Sequence, residues 1–401
     1  MTQRHFLFLQ GLPGPSLWRI ARRIGEGGHR ASRINFNGGD LADWGWSGTA
    51  YRGSAEDFGP WLECHCRDGQ VSDLVLFGER RPLHVAAIAV ARALGLDVHI
   101  LEEGYLRPNS VAIERWQRGS PWQAPASLEH CRLLGDGGQG DEVPIENRFA
   151  RRWRESVTYW TVATLLWPAF PRYRSHRVQS TVGEVRAWLR RYASRGREHR
   201  ASAAALADLG DAPFFLFPLQ LDGDSQLVFR SPFDSMRGAA QTVLDSFARC
   251  APDGVRLLVK RHPYDPDPLG WRRWFGEATA ALGIGARVHF VEHADLDPLL
   301  ERCLGVMTIN STVGGLALRI GKPVHALGQA LYAMPGLASA GPPDSFWTAP
   351  GAVAAEDFAA FSAALWRECL VNAGFHSEDA LARLERAAAA RLIGERTPCA
   401  A

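Results

Sequence analysis

Three short stretches hold the residues best suited to chemistry. In "VHILEEGYLRP", Glu102 and Glu103 stand side by side before Gly104, where an apolar run ends. Adjacent carboxylates raise one another's pKa or demand a nearby cation, and Arg107 follows within reach. A glycine beside them lets a ligand approach the backbone. The chemistry this suits is nucleophilic or acid–base work by a carboxylate; the competing reading is a pair of solvated loop charges.

The second stretch is "VKRHPYDP", where Lys260, Arg261 and His262 precede Pro263. Three cations at a strand end can hold a phosphate, and the proline fixes the turn that orients the histidine. The third is "TINSTVGGLALRIGKPV", in which Asn310, Ser311 and Thr312 lead into a helix opened by Val313, Gly314 and Gly315. Hydroxyls and free N–H groups at a helix N-terminus bind phosphate oxygens, and they also serve as ordinary caps. No Walker loop precedes the helix. Gln220, Asp222, Asp224 and Gln226 in "PLQLDGDSQ" suit a sugar or nucleotide, or an Asx-rich turn. Cys64, His65 and Cys66 have no second Cys/His pair at zinc-site spacing, so no metal is expected.

The elements that must position these residues alternate between strand and helix. "HFLFLQG", "RINFNGGD", "VSDLVLFGE" and "LDVHILEEG" read as four strands ending at Gln10 and Gly11, at Asn37, Gly38 and Gly39, at Gly78, and at the glutamate pair. "PSLWRIARRIG" and "RPLHVAAIAVARALG" carry apolar residues at helical spacing between them. The rhythm restarts at "FFLFPLQ" and continues through "VRLLVKRHP", "ARVHFVEH", "GVMTINST" and "KPVHALG". Such βαβ alternation implies parallel doubly wound sheets, whose ligands bind beyond the carboxyl ends of the strands. The expected architecture is α/β, with two Rossmann-like domains facing a cleft in the GT-B manner. The expected boundaries are an N-terminal domain over 1–205 with a basic helical segment at 148–200, a second domain over 206–355, and a helical tail over 356–401.

The chain has 401 residues, 46% hydrophobic and 22% charged, with a formal net charge of +2, the balance of a globular protein with a sizeable core. Its seven cysteines are scattered, and the N-terminal apolar run is too short for a signal peptide, so a reduced cytoplasmic protein is expected. No apolar stretch reaches the roughly 18 residues of a spanning helix. The longest, Val157 to Phe170, carries Trp160 and Trp167 and is followed by Arg172 and Arg174. Aromatic residues with arginines outside them suit a membrane–water interface. A helix packed on its own domain reads equally well. The same run argues against a solvated basic groove for nucleic acid.

The stretches "FLQG", "RINFNGGD", "DLVLFGERRPLHVAAIAVARALGLDVHILEEGYLRP", "FPLQLDGDSQ", "VKRHP" and "INSTVGGLALRIGKPV" together resemble the KpsS/LipB-type capsular polysaccharide biosynthesis and export proteins. The resemblance spans about residues 5–335. It implies a retaining β-Kdo transferase that uses CMP-Kdo to start a poly-Kdo linker on a phosphatidylglycerol-type lipid, with no cofactor required. The family's acidic-acidic-Gly motif falls on Glu102, Glu103 and Gly104, its His-Pro motif on His262 and Pro263, and its Ser/Thr pair on Ser311 and Thr312. Glu103 is then the expected nucleophile, with Glu102 as its acid/base or orienting partner; the reverse order is the alternative. Arg107 is expected at the Kdo carboxylate, and Lys260, Arg261, His262, Asn310, Ser311 and Thr312 at the departing CMP phosphate. Gln10, Gly11, Asn37, Gly38, Gly39, Gly104, Gln220 and Gln226 are expected to line the cleft. The implied setting is the inner face of the cytoplasmic membrane, beside the proteins of a capsule assembly and export complex, with Trp160, Trp167, Arg172 and Arg174 at the lipid surface. The same features also suit a GT-B enzyme using another CMP- or UDP-sugar, or a non-catalytic member of that complex.

Overall fold

The computed structural model describes residues 3–116, 125, 127–134, 143–146, 148–175, 181–222, 225–265, 267 and 269–394. The chain forms two compact units: Met1–Ala124 with Gly137–His176 and Leu365–Ala401, and Pro125–Asp136 with Arg177–Ala364. Both are α/β, built on sheets that are largely or wholly parallel.

In the first unit the strands are β1 (His5–Phe8), β2 (Arg30–Asn35), β3 (Thr49–Ala50), β4 (Asp73–Phe77), β5 (Asp97–Glu103) and β6 (Val111–Arg115). The sheet order is β6-β5-β4-β1-β2-β3, with the short strand Leu370–Val371 beyond β6. β1 to β5 run parallel, whereas β5 and β6 form an antiparallel hairpin. β1 and β4 are buried at every position, as strands covered on both faces must be. Helix α1 (Ser16–Glu26) covers one face through Leu17, Ile20 and Ile24, and the C-terminal helix Glu378–Ile393 joins it through Leu381, Leu384 and Leu392. Helices α3 (Phe58–Asp68) and α4 (Pro82–Leu94) cover the other face. Helix α4 starts at a proline, which suits its first turn, and stops at Gly95 in the left-handed region.

The second unit holds β7 (Phe214–Pro218), β8 (Arg256–Lys260), β9 (Val288–Val291), β10 (Gly305–Thr308), β11 (Val324–Ala326) and β12 (Ser339–Ala340). All pair in parallel, in the order β12-β11-β10-β7-β8-β9. Its core gathers Phe215, Phe217, Val243, Phe247, Trp271 and Phe346, all 2% exposed or less. Each such side chain contributes about 1.5–3 kcal/mol by leaving water.

The partition departs from the expected boundaries: Pro125–Asp136, expected in the first domain, falls in the second unit, and two further segments change place. Helix Thr181–Leu209 belongs to the second unit, where Ser202 Oγ exchanges hydrogen bonds with Glu292 Oε2 and the Glu292 N–H, both at 3.0 Å, just beyond β9. The expected tail is no separate element: its last helix returns to the first unit and completes the core around Phe6 and Phe8. Helical periodicity shows that a segment has an apolar face; it does not say which sheet that face meets.

Candidate functional site

The chain leaves a doubly wound sheet in opposite directions at one crevice, which is where ligands bind. In the second unit this switch lies between β7 and β10, because β8 and β9 follow on one side and β10 to β12 on the other. The chain just beyond β7, β8 and β10 carries Gln220, "KRHP" and "NST" respectively. Gln220 Nε2 donates to Asn310 Oδ1 at 2.9 Å, and the Asn310 N–H donates back to Gln220 Oε1 at 3.1 Å. These two residues tie the lips of the crevice together.

On β8 the alternation of side chains separates the expected phosphate ligands. Lys260 and His262 are half-buried at the strand end, whereas Arg261 is 1% exposed. Arg261 Nη2 donates to Glu198 Oε2 at 2.6 Å, and Asp267 stands 3.4 Å from Nη1. Arg261 thus forms an interior ion pair that anchors helix Thr181–Leu209, with its Nε and Nη1 left without a hydrogen-bond partner among the described residues. Burial, with Arg261 as a lesser repulsive neighbour, lowers the Lys260 pKa, and Asp295 partly offsets this. His262 Nδ1 accepts from the Tyr264 N–H at 3.1 Å, which fixes its ring beside the turn at Pro263.

Ser311 caps helix Thr312–Arg319, its Oγ accepting from the Val313 N–H at 3.2 Å, while Tyr332 OH donates to the Ser311 carbonyl at 2.6 Å. A side chain on Gly314 would run into Tyr332, so that glycine serves packing. Asp222 Oδ1 accepts from the Met236 N–H at 2.7 Å and so organises the start of helix Met236–Cys250. Asp224 and the side chain of Gln226 lie outside the described residues.

In the first unit Glu102 and Glu103 are the last residues of β5, paired with Ala112 and Val111 of β6. Strand alternation sends them to opposite faces. Glu103 points where Arg107 Nη2 meets it at 2.6 Å and Arg152 Nη1 stands at 3.7 Å. Arg107 is thus engaged by Glu103, which supplies the cation the carboxylate pair demands. Glu102 Oε1 lies 3.7 Å from where a Cβ of Gly78 would be, at the end of β4. Gly78 has φ +71°, a conformation that favours glycine. Gly104 packs against Ser110 across the hairpin: its N–H donates to the Ser110 carbonyl at 3.0 Å, and any side chain there would overlap Ser110. Tyr105, not singled out from sequence, donates to Glu114 Oε1 at 3.1 Å. Its burial and then the charges of Glu114 and Glu102 push its pKa well up, so it stays a donor.

The expected cleft residues Gln10, Asn37, Gly38 and Gly39 are interior instead. Helix Phe149–Leu165 lies across them. Gln10 Nε2 donates to Asp40 Oδ2, Tyr159 OH and Tyr173 OH at 3.0–3.1 Å, and Asn37 Nδ2 donates to Tyr159 OH at 2.9 Å. Tyr159 OH and Arg33 Nη2 both donate to Asp40 Oδ1, at 2.9 and 2.8 Å. Cβ atoms on Gly38 and Gly39 would fall 2.6–2.7 Å from Val162, Leu166 and Tyr159, so the two glycines let helix α2 (Gly38–Asp43) touch the covering helix. A Cβ on Gly11 would likewise meet Leu17 at 2.6 Å. Of the expected membrane residues, Trp160 is half-buried with its ring edge-on to Tyr159 at 5.0 Å, while Trp167, Arg172 and Arg174 are exposed. Trp153, Val157 and Leu165 are exposed on the same segment, and Arg151 is occupied by Glu155 and Glu378. No helix among the described residues is long and apolar enough to cross a membrane. Cys64 is exposed and Cys66 buried on α3, and no cluster among the described residues could hold a metal ion.

Residues 72–376 match the family of capsule polysaccharide biosynthesis proteins. The capsule polysaccharide export protein KpsS of Escherichia coli is 30% identical over 87% of this chain and 91% of its own. The capsule polysaccharide modification protein LipB of Neisseria meningitidis serogroup A is 27% identical over 94% of this chain and 93% of its own. Among solved structures, KpsC of Thermosulfurimonas dismutans, a beta Kdo 2,7 transferase, aligns over 89% of both chains with a TM-score of 0.44 and 17% identity.

Proposed function

We propose transfer of Kdo from CMP-Kdo to a lipid as the reaction of this protein, whose chain belongs to the capsule polysaccharide biosynthesis family. The observation that carries the reading is the convergence of Lys260, His262, Gln220, Asn310, Ser311 and Thr312 on three adjacent parallel strand ends at the second unit's switch point. A nucleotide monophosphate ester has one phosphate to hold. Lys260, the His262 ring and the Thr312 hydroxyl can meet its charge as CMP departs, without a metal clamp.

Two displacements through a covalent intermediate are the simplest route to retention. In the first, a glutamate carboxylate attacks the anomeric carbon, the bond to the phosphate oxygen breaks, and CMP leaves with the electron pair. In the second, an acceptor hydroxyl attacks the same carbon, gives up its proton to a base, and releases the carboxylate. We assign the attack to Glu103, whose orientation Arg107 fixes, and to Glu102, on the other face of β5, the part of a supporting partner rather than of the base. The acceptor is a phosphatidylglycerol-type lipid, and the protein works peripherally on the inner face of the cytoplasmic membrane beside the capsule export machinery. The exposed row of Trp153, Val157, Leu165 and Trp167, flanked by Arg154, Arg172 and Arg174, supports that placement.

The test is incubation with CMP-Kdo and lysophosphatidylglycerol, with product mass as the readout. The reading predicts a lipid heavier by one or more Kdo residues. An intact CMP-Kdo pool beside consumption of another nucleotide sugar points to a different donor. No turnover of any donor points to a non-catalytic member of the assembly.

A further inference from the structure

We propose that Arg81 is an anion-binding residue of the first unit, taking an oxyanion at the crevice between the ends of β1 and β4. That crevice is the first unit's switch point: from β1 the chain goes to β2 and β3 on one side, then to β4, β5 and β6 on the other. Arg81 immediately precedes helix α4, and its side chain caps nothing there. It reaches across the crevice, Nη1 donating to the Gly11 carbonyl at 3.0 Å, with its guanidinium 5.8 Å from the centre of the Phe77 ring.

The other arginines of this region have acids. Arg33 meets Asp40 at 2.8 Å, Arg80 meets Glu79 at 3.0 Å and Arg107 meets Glu103 at 2.6 Å. Among the described residues, no carboxylate stands within ion-pair distance of Arg81. Burial pulls its pKa below the usual arginine range, against the opposing pull of Tyr159 and Asp40. A half-buried guanidinium without a counter-ion carries part of the cost of leaving water, and an arriving anion offsets it. The planar fork with one arm on Gly11 leaves its remaining N–H groups for a carboxylate or a phosphate, which they match in geometry. Arg107 at the end of β5 is committed to Glu103, and Arg81 is placed to discriminate a charged ligand from a neutral one.

The inference deepens the transfer reading, from which its two candidate anions come: the carboxylate of the Kdo donor and the phosphodiester of the lipid acceptor. The test separates them by calorimetric titration of the full chain with CMP-Kdo and, independently, with dihexanoyl phosphatidylglycerol below its micelle concentration. Wild type, Arg81→Lys and Arg81→Gln are compared. The expected result is a loss of about tenfold or more in affinity for one probe in Arg81→Gln, the worth of a charged hydrogen bond, with Arg81→Lys between the two. The probe affected names the source of the anion. Unchanged affinity for both probes in Arg81→Gln overturns the proposal, as does a wild type that binds neither. Should Arg81→Gln fail to fold, Arg81→Lys decides: it keeps the charge and loses the fork, so wild-type affinity for both probes overturns the proposal. Loss of binding in the variant while wild type shows no transfer would sink the reaction and leave the Arg81 site standing.

Discussion

Gln220 and Asn310 hold each other by two hydrogen bonds across the crevice between β7 and β10, at 2.9 and 3.1 Å. Gln220 is 4% exposed, so its amide has little water to turn to if the partner goes. Gln220→Ala and Asn310→Ala are each expected to cost about 1–3 kcal/mol, because each leaves a polar partner unsatisfied. The double variant is expected to cost less than the sum, since both remove one shared interaction. Urea unfolding of the four proteins checks this; strict additivity would mean that the pair is not coupled.

Arg261 and His262 are neighbours with opposite duties, and variants should separate them. Arg261→Ala leaves Glu198 without the partner that meets it at 2.6 Å, and a broken buried pair costs about 3–5 kcal/mol. His262→Ala is expected to leave the unfolding midpoint near that of wild type while weakening CMP binding. The measurement is thermal unfolding beside CMP titration. A stable Arg261→Ala protein that has lost CMP affinity would return Arg261 to the phosphate site.

Asp43 gives the first unit a pH dependence. Burial, opposed by the Gly14 N–H that donates to Oδ2 at 2.9 Å, raises its pKa from 3.8 to about 7. A raised acid binds more protons folded than unfolded between those values, so its contribution to stability falls as pH climbs from about 4 to about 7 and stays lost above. Asp43→Asn removes this term and keeps an oxygen for Gly14. The expected outcome is a variant whose melting temperature exceeds that of wild type at pH 8 and converges with it near pH 4. Parallel curves across that range would contradict the assignment.

The exposed face of the segment around Leu165 predicts vesicle binding. Trp153→Ser with Trp167→Ser, or Arg172→Gln with Arg174→Gln, should each weaken sedimentation with phosphatidylglycerol vesicles. The arginine pair should act through charge, at about 1 kcal/mol per residue and less at high salt. Tyr159→Phe touches the buried side of the same helix and is expected to lower stability without altering vesicle binding. Equal sedimentation of all variants would exclude this face as the lipid contact.

Local signals carried most of the fold. Continuous apolar runs such as "HFLF" and "FFLFP" marked buried parallel strands, and the glycine and proline limits of α4 fell where the pattern placed them. The misplaced residues were those whose neighbours are distant in sequence. Asn37 and Gly39 have the composition of a ligand-binding turn, and only the docking of Tyr159, far along the chain, makes them interior. Gly104 likewise needed the return of the hairpin at Ser110 to explain it. Arg261 was legible in principle: with β8 running into it, alternation places Lys260 and His262 on one side and Arg261 on the other. The same alternation assigns Glu102 and Glu103 to different faces, which splits the roles of two identical side chains.

The most direct measurement is product formation from CMP-Kdo and lysophosphatidylglycerol by wild type, Glu102→Gln and Glu103→Gln, followed by mass and by the anomeric configuration of the new linkage. The account predicts a β-linked Kdo lipid from wild type, at least a hundredfold less from Glu103→Gln in line with loss of a reacting group (~3 kcal/mol or more), and a lesser loss from Glu102→Gln. Full activity in Glu103→Gln, or an inverted product from wild type, would contradict it.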